Sequence, residues 1–573
     1  MPAVLQSAVI NPLITESGVN TKIATFLPTS TQIMEITKQH VEDVLNDIAR
    51  RCRGPGGAVA VVKDGEVIGQ RIWGFADLDT LTTLTAETLF PICSITKQFV
   101  CALLIDLERN PPPALAAQGD VRQQLSAHLR DLLSPELKDS GLTIDQLCSM
   151  QSGMRDYWAM TTLMGAKPDD EFLIARDCPP MLELTKSFQF EPGTEFSYCN
   201  LNFHIVAQAI ERATGESLVK LLEERVLRPA GMATAFLCPN TSKHPPPCVG
   251  YEGDEGHGYV PAVNRMEWAG DAGLVASLTD MIAYEKYLDR CSSDPVSWYN
   301  EAIATPKYKD GTPARYRFGL SHVDIDGVHT IGHGGALRGY RLQRRHAPAE
   351  RLSVVVLFNN DADGSGPNID IFRALLNLPK PEVTSIQPAN EWFGAFLDED
   401  TQLLIVVTKA EKQGEVAISY AGSPEPIRLS SPVSGKSNSM IATIDGDSLI
   451  IHRLGDNRKL AARRITPKES VLKEDSFQGP YHCAEINSTF HCFGEAGVFY
   501  GIFAGYLGRG HATPMRYLGD DVWVLTCPRG LDAPAPGDWT VVFRRDEQGS
   551  VAGFTIGCWL ARGLKYEKWP KYT

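Results

Sequence analysis

The chain has 573 residues, 55 Lys and Arg against 69 Asp and Glu, and a formal net charge of −14. The acidic balance excludes a broad nucleic-acid or anionic-membrane surface, both of which need basic faces. A hydrophobic content of 43% with 22% charged residues excludes a collagen-like, coiled-coil or mainly disordered chain.

Residues 1–35 read as an N-terminal arm, irregular over its first 28 residues and without the basic stretch of a signal peptide. Thr29-Ser30 precedes Ile33, Val41, Val44, Leu45 and Ile48 at helical spacing, which predicts a capped helix. After a Gly-Pro-Gly-Gly break at 54–57, Ala58–Val62, Asp64-Gly65 and Val67-Ile68 predict a β-hairpin with a D-G turn. A helix-rich stretch follows from Ser94 to about Met232, and strands return near Tyr316–Leu320 and in Leu352–Phe358. This order fits one α+β domain over 36–380, a sheet with flanking helices and a helical insert. Beyond Pro379-Lys380-Pro381 the texture changes to short alternating strands, among them Leu403–Val407, Glu415–Tyr420, Met440–Ile444 and Leu449–His452. A polar linker, Thr466–Ser476, precedes another strand-rich block containing Thr540–Arg545 and Val551–Gly557. Phe393-Gly394-Ala395-Phe396 recurs loosely as Gln478-Gly479-Pro480-Tyr481, so two small antiparallel barrels, 388–466 and 476–573, are expected as a duplicated unit.

The 13 cysteines are scattered without a C-x-x-C pair, which reads as small buried hydrophobes in a reducing compartment. No apolar run approaches the ~18 residues of a membrane span. A cytoplasmic protein without membrane or nucleic-acid partners is expected, with idle sequons at Asn240 and Asn487.

The chemistry begins at Pro91-Ile92-Cys93-Ser94-Ile95-Thr96-Lys97, which opens an apolar helix. Ser-x-x-Lys places both side chains on one helix face. A serine hydroxyl needs a base, and a lysine with a lowered pKa can be one. The pattern also occurs at Ser217/Lys220 and Ser470/Lys473; Ser217 reads as a cap of the helix Leu218–Leu227, and Ser470 as linker. Two further motifs single out the first pair. Tyr198-Cys199-Asn200 is the only Tyr-x-Asn; its phenol can share the proton work and its amide can hold the lysine or a substrate carbonyl. Gly332-His333-Gly334-Gly335-Ala336 is the only His-x-Gly, and glycines there let a strand pass close to a ligand, with the Ala336 N–H available to an oxyanion.

S-x-x-K, then Y-x-N, then H-x-G in this order resembles the penicillin-recognising serine hydrolases, which include class C β-lactamases, D,D-carboxypeptidases and related esterases and amidases. His333 stands where a K-T-G lysine usually serves a substrate carboxylate, which weakens the case for a β-lactamase or carboxypeptidase. The layout over roughly 36–573 is most similar to the D-aminopeptidase branch, through GPGGAVAVVKDGE (54–66), PICSITKQF (91–99), QSGMRDYWA (151–159), GDAGLVASLTDM (270–281), GHGGALRGY (332–340), LDAPAPGDW (531–539) and GCWLARG (557–563). The resemblance implies a β-lactamase/transpeptidase-like catalytic domain, an antiparallel sheet with helices on both faces, followed by two lipocalin-like β-barrels. It implies a serine aminopeptidase or amidase acting through an acyl-enzyme on small D-peptides or amides with a free amine, and a homodimer. Ser94 is then the nucleophile, and Lys97 and Tyr198 share the proton work. The N–H groups of Ser94 and Ala336 hold the oxyanion, Asn200, His333 and Gly335 line the site, and Asp532 on a loop of the last barrel meets the substrate ammonium. Neither a metal nor an organic cofactor is expected, and no H-E-x-x-H, P-loop or G-x-S-x-G pattern occurs. An esterase, acyltransferase or amidase on the same scaffold, and a non-catalytic binder of small ligands, stand as alternatives.

Overall fold

A computed structural model describes residues 36–268, 270–379, 384–467 and 476–569. The arm 1–35, the Thr29-Ser30 cap and the Ser470/Lys473 pair lie outside the described residues. The first described helix runs Lys38–Arg51, and its cap is Thr37, whose side chain accepts from the His40 N–H.

The hairpin expected at 58–68 forms from strands Gly56–Lys63 and Glu66–Asp77. Asp64 and Gly65 both have positive φ, 53° and 76°, which suits a tight two-residue turn between twisted strands. Gly56–Lys63 also pairs antiparallel with Leu352–Phe358, Gly57 opposite Phe358 and Val61 opposite Val354. Early and late segments thus meet in the middle of an eight-stranded sheet, whose far side is built by Tyr340–Ala347, Val328–Leu337, Leu320–Ile325 and Tyr316–Arg317. Both faces are covered. Val59, Val61, Val354 and Val356 pack with Val41, Leu45, Ile371 and Phe372 of two helices. Ala58, Ala60, Val355 and Leu357 face the larger core that holds Phe99 and Tyr284. Burial on both sides explains why these strands read as apolar runs rather than alternations.

Strands from Gly394–Asp398 to Arg458–Arg464 close an eight-stranded barrel, Phe396 opposite Arg464. A second ring of eight strands closes the same way between Gly479–Cys483 and Ala561–Lys568, with Gly508–Arg509 appended outside it. Gly394 and Gly479, matched in the loose repeat, open the first strand of each ring with φ of +140° and +122°. The first barrel is filled by Trp392, Phe396, Ile405, Ile418, Ile427 and Ile451. The second holds an aromatic core in which the Phe554 and Tyr566 rings stack at 4.9 Å. Packed interiors leave the barrels acting through their outer surfaces.

Candidate active site

Ser94 lies in a 3-10 turn, Cys93–Ile95, that leads into the helix Thr96–Arg109. Cys93 has a φ of +52°, so the turn before Ser94 adopts the left-handed region that non-glycine residues rarely occupy. The strand Val328–Leu337 runs against this turn, and a Cβ on Gly335 would lie 2.4 Å from the Ile92 carbonyl oxygen. Only glycine fits there, and the fit brings the following residue, Ala336, into the wall of the cavity that contains Ser94.

Lys97 is fully buried at the base of the site. Its Nζ donates to Ser94 Oγ at 3.0 Å, Asn200 Oδ1 at 2.7 Å and the Asp271 carbonyl at 2.6 Å. It also lies 5.0 Å from the centroid of the Tyr198 ring. Burial lowers its pKa from 10.5 to about 8, against the opposing pull of Asp271 and Asp156. Asn200 is held in one orientation because its Nδ2 donates to Asp156 Oδ2 at 2.8 Å. Once Lys97 is neutral, Asn200 Oδ1 and the Asp271 carbonyl can still only accept. The Ser94 hydroxyl is the one neighbour of the three that can donate to the amine lone pair.

Asp156 was not among the residues expected at the site. Its carboxylate, fully buried, takes the Asn200 N–H, the Asn200 Nδ2 and, at 2.7 Å, the Trp158 N–H. It thereby serves the start of the helix Asn200–Thr214, whose own cap residue, Cys199, supplies no side-chain bond. Burial raises the Asp156 carboxyl to about 6 while the Asn200 and Trp158 amides oppose the rise. Tyr157 donates to the Asp271 side chain at 2.7 Å, which ties down the segment whose carbonyl receives Lys97. The stretch QSGMRDYWA contains both residues, yet Asn200 lies 44 positions beyond Asp156, and nothing local announces the pairing.

Burial pushes the Tyr198 phenol well above its usual range, the Ser94 hydroxyl opposing part of the rise, so at neutral pH it is a phenol and not a phenolate. His333 is lowered to about 3, first by burial and then by Lys97. Its Nδ1 faces the Gly334 carbonyl and therefore carries the proton, so its Nε2 accepts from the Tyr316 hydroxyl at 2.9 Å. A neutral, doubly engaged imidazole offers no charge to a substrate carboxylate.

These groups open into a cavity of about 900 Å³ lined by all three domains. Ser94, Tyr198, Asn200, His333, Gly335 and Ala336 lie in its wall. The first barrel contributes the turn around Tyr420–Glu425 and Arg453, and the second contributes Trp559 and the loop 534–538. Among the residues expected to line the site or meet the substrate, Asp532 is the exception. It does not line the cavity and is 1% exposed. Its carboxylate accepts from Thr241 Oγ1 at 2.7 Å, the Arg265 N–H at 2.9 Å and the Met266 N–H at 3.0 Å. The acid expected to meet a substrate ammonium instead pins the loop to the catalytic domain, and its carbonyl accepts from the Arg338 N–H at 3.0 Å. The carboxylates that do line the cavity are Asp363, Glu425 and Asp538. Among the described residues no group of three His, Cys, Asp or Glu could hold a metal ion, and no helix is long and apolar enough to cross a membrane.

A serine and a buried lysine one helical turn apart, against the strand Val328–Leu337 of an antiparallel sheet, fit a serine hydrolase of the β-lactamase type. A β-lactamase family model matches residues 38–378, and the model for D-aminopeptidase domain B matches 385–567. A D-aminopeptidase of Brucella anthropi is 40% identical over 530 residues, 92% of this chain and 98% of the relative. One from Brucella ovis is 40% identical over 528 residues, with the same coverage. The chain belongs to the D-aminopeptidase family. Among solved structures, an octameric penicillin-binding protein homologue from Pyrococcus abyssi aligns over 74% of this chain and 99% of its own at 19% identity, with a TM-score of 0.47.

Proposed function

We infer that this chain is a serine aminopeptidase that releases an N-terminal D-residue from small peptides, amides or esters through an acyl-enzyme. The observation that carries the reading is the donor count around Lys97. That two of its three neighbours can only accept supports transfer of the Ser94 proton to the neutral amine. The D-preference rests on the relatives' name.

In the first half-reaction Ser94 Oγ bonds to the substrate carbonyl carbon while its proton passes to Lys97 Nζ. The carbonyl oxygen becomes an oxyanion facing the N–H groups of Ser94 and Ala336, donors at a helix start and a free strand edge. Collapse breaks the carbonyl–nitrogen bond. The leaving amine takes a proton from the Tyr198 phenol, which regains it from Lys97. Water then attacks the acyl-enzyme by the same route in reverse, freeing the amino acid and restoring Ser94. Asn200 and Asp156 hold the lysine in line, and His333 supports the wall through Tyr316. A substrate ammonium enters a cavity walled by three carboxylates. We also propose a homodimer and a cytoplasmic address, to be checked by sedimentation and cell fractionation.

The test is steady-state turnover of D-Ala, L-Ala and N-acetyl-D-Ala p-nitroanilides. The D-alanine compound should be hydrolysed fastest. Equal rates on all three, or turnover of esters alone, would overturn the reading.

A further inference from the structure

The first barrel supplies part of the wall of the cavity of about 900 Å³. The charged groups in that wall differ in how they are engaged. Glu425 takes the hydroxyls of Ser437 and Ser439. Asp363 takes the Ser365 and Gly366 N–H groups, both at 2.8 Å, and Asp538 takes the Cys527 N–H at 3.2 Å. Arg341 is paired with Asp361 at 2.8 Å and donates to the Leu337 and Tyr340 carbonyls.

Arg453 differs. Its guanidinium lies over the Tyr420 ring, 4.3 Å from the centroid, and its Nε donates to Asp456. The Tyr420 hydroxyl accepts from Arg458 at 2.7 Å, so the ring beneath Arg453 is itself held in place. The two terminal nitrogens of Arg453 make no hydrogen bond to any described residue, although the side chain is only 16% exposed. Burial opposes its charge, but Asp456, Tyr420 and Glu425 around it outweigh burial and raise its pKa. A planar cation fixed by stacking and by one ion pair, with its outer fork unused on a cavity wall, matches a carboxylate in both charge and shape.

We propose that Arg453 binds the C-terminal carboxylate of a short peptide, so that the enzyme selects free-acid oligopeptides over their amides. The inference rests on the aminopeptidase reading. The ammonium of such a substrate sits two bonds from the scissile carbonyl at every chain length. The carboxylate moves outward by ~3.5 Å per added residue. Only one length, or two adjacent ones, can therefore join Ser94 to Arg453, and the preference should peak there.

The experiment compares kcat/KM for D-Ala-(Gly)n with n from one to four, each as free acid and as C-terminal amide. The wild type should favour the acid by roughly tenfold or more at one length, less on either side. Arg453→Met should bring that ratio to within about twofold of one, and Arg453→Lys, which keeps the charge but loses the fork, should leave an intermediate ratio. The amide serves as the internal reference within each variant, and the lysine variant decides the matter if the methionine variant fails to fold. A ratio near one at every length in the wild type, or an unchanged ratio in the variants that fold, overturns the proposal. Turnover without acid preference overturns this inference alone. No turnover of any D-alanyl substrate, D-alanine p-nitroanilide included, overturns the aminopeptidase reading with it.

Discussion

Ser94-x-x-Lys97 and Ser217-x-x-Lys220 have the same spacing at the start of a helix and opposite fates. Ser217 caps its helix, its hydroxyl accepting from the Lys220 N–H, and Lys220 is 49% exposed beside Glu216 at 2.8 Å. The Glu216 contact raises the Lys220 pKa, whereas burial lowers that of Lys97 to about 8. Spacing brings the two groups together in both places. On the function proposed above, what makes one pair chemical is the removal of water from the lysine and the supply of acceptors that hold it.

The largest break in this comparison comes from the serines. Ser94→Ala should lower kcat/KM by roughly 10⁴–10⁶-fold, the range for loss of a nucleophile that works as part of a unit. Ser217→Ala should leave turnover intact and cost about 1 kcal/mol of stability, the worth of a cap. Anilide hydrolysis and thermal melts of both variants check the pair.

The lysines and the phenol come next. Lys97→Met and Tyr198→Phe should each slow acylation by roughly 10²–10⁴-fold, as expected for groups in the proton path. The double variant should lose less than the sum of the two effects, because they serve one transfer. Stopped-flow acylation rates of the three variants, with Lys220→Met as the control, measure the coupling. Fully additive losses would separate the two groups.

Asp156 sharpens the contrast, because nothing equivalent braces the exposed pair. Asp156→Asn removes an acceptor from the Asn200 amide and lets Asn200 turn away from Lys97. The expected loss is on the order of 10²-fold in kcat, the consequence of misplacing a catalytic group by about 1 Å. A reduced kcat with KM little changed, in a variant that a melt shows to be folded at the assay temperature, would identify this as a positioning effect.

The smallest effect concerns the loop of the second barrel. Asp532→Ala strands the Arg265 amide, while the Met266 amide and the Thr241 hydroxyl keep the bonds they make to each other's residues. Stability should fall by about 1–3 kcal/mol, the cost of an amide left without its partner. Rates on free-amine and N-acetylated substrates should fall together, since the residue holds the loop rather than the ammonium. A loss confined to free-amine substrates would return Asp532 to the substrate.

Much of this arrangement was legible in the sequence because the signals are local. The Asp64-Gly65 turn, the helix opening at Ser94 and the glycine run beside His333 each follow from neighbouring residues. What stayed hidden depends on distant ones. Tyr340–Ala347 contains Gln343-Arg344-Arg345-His346 and reads as a polar stretch, yet it is a buried strand. Arg344 survives there because Glu285, equally buried, pairs with it at 2.6 Å. Asp532 reads as a loop acid open to ligand until the backbone of 265–266 is brought to it. The Lys38–Arg51 helix is capped by Thr37, which satisfies the local rule for a cap.

The central claim, that desolvation turns Lys97 into the base, is tested most directly by the pH dependence of Ser94 acylation with a fluorophosphonate. The neutral fraction of a lysine rises with pH, so the rate should climb through an apparent pKa near 8 and then level off. The limb should be present in Lys220→Met and absent in Lys97→Met, whose residual rate should be slow and flat over the same range. The same rising limb in Lys97→Met would contradict the account, because the proton would then be leaving Ser94 by another route.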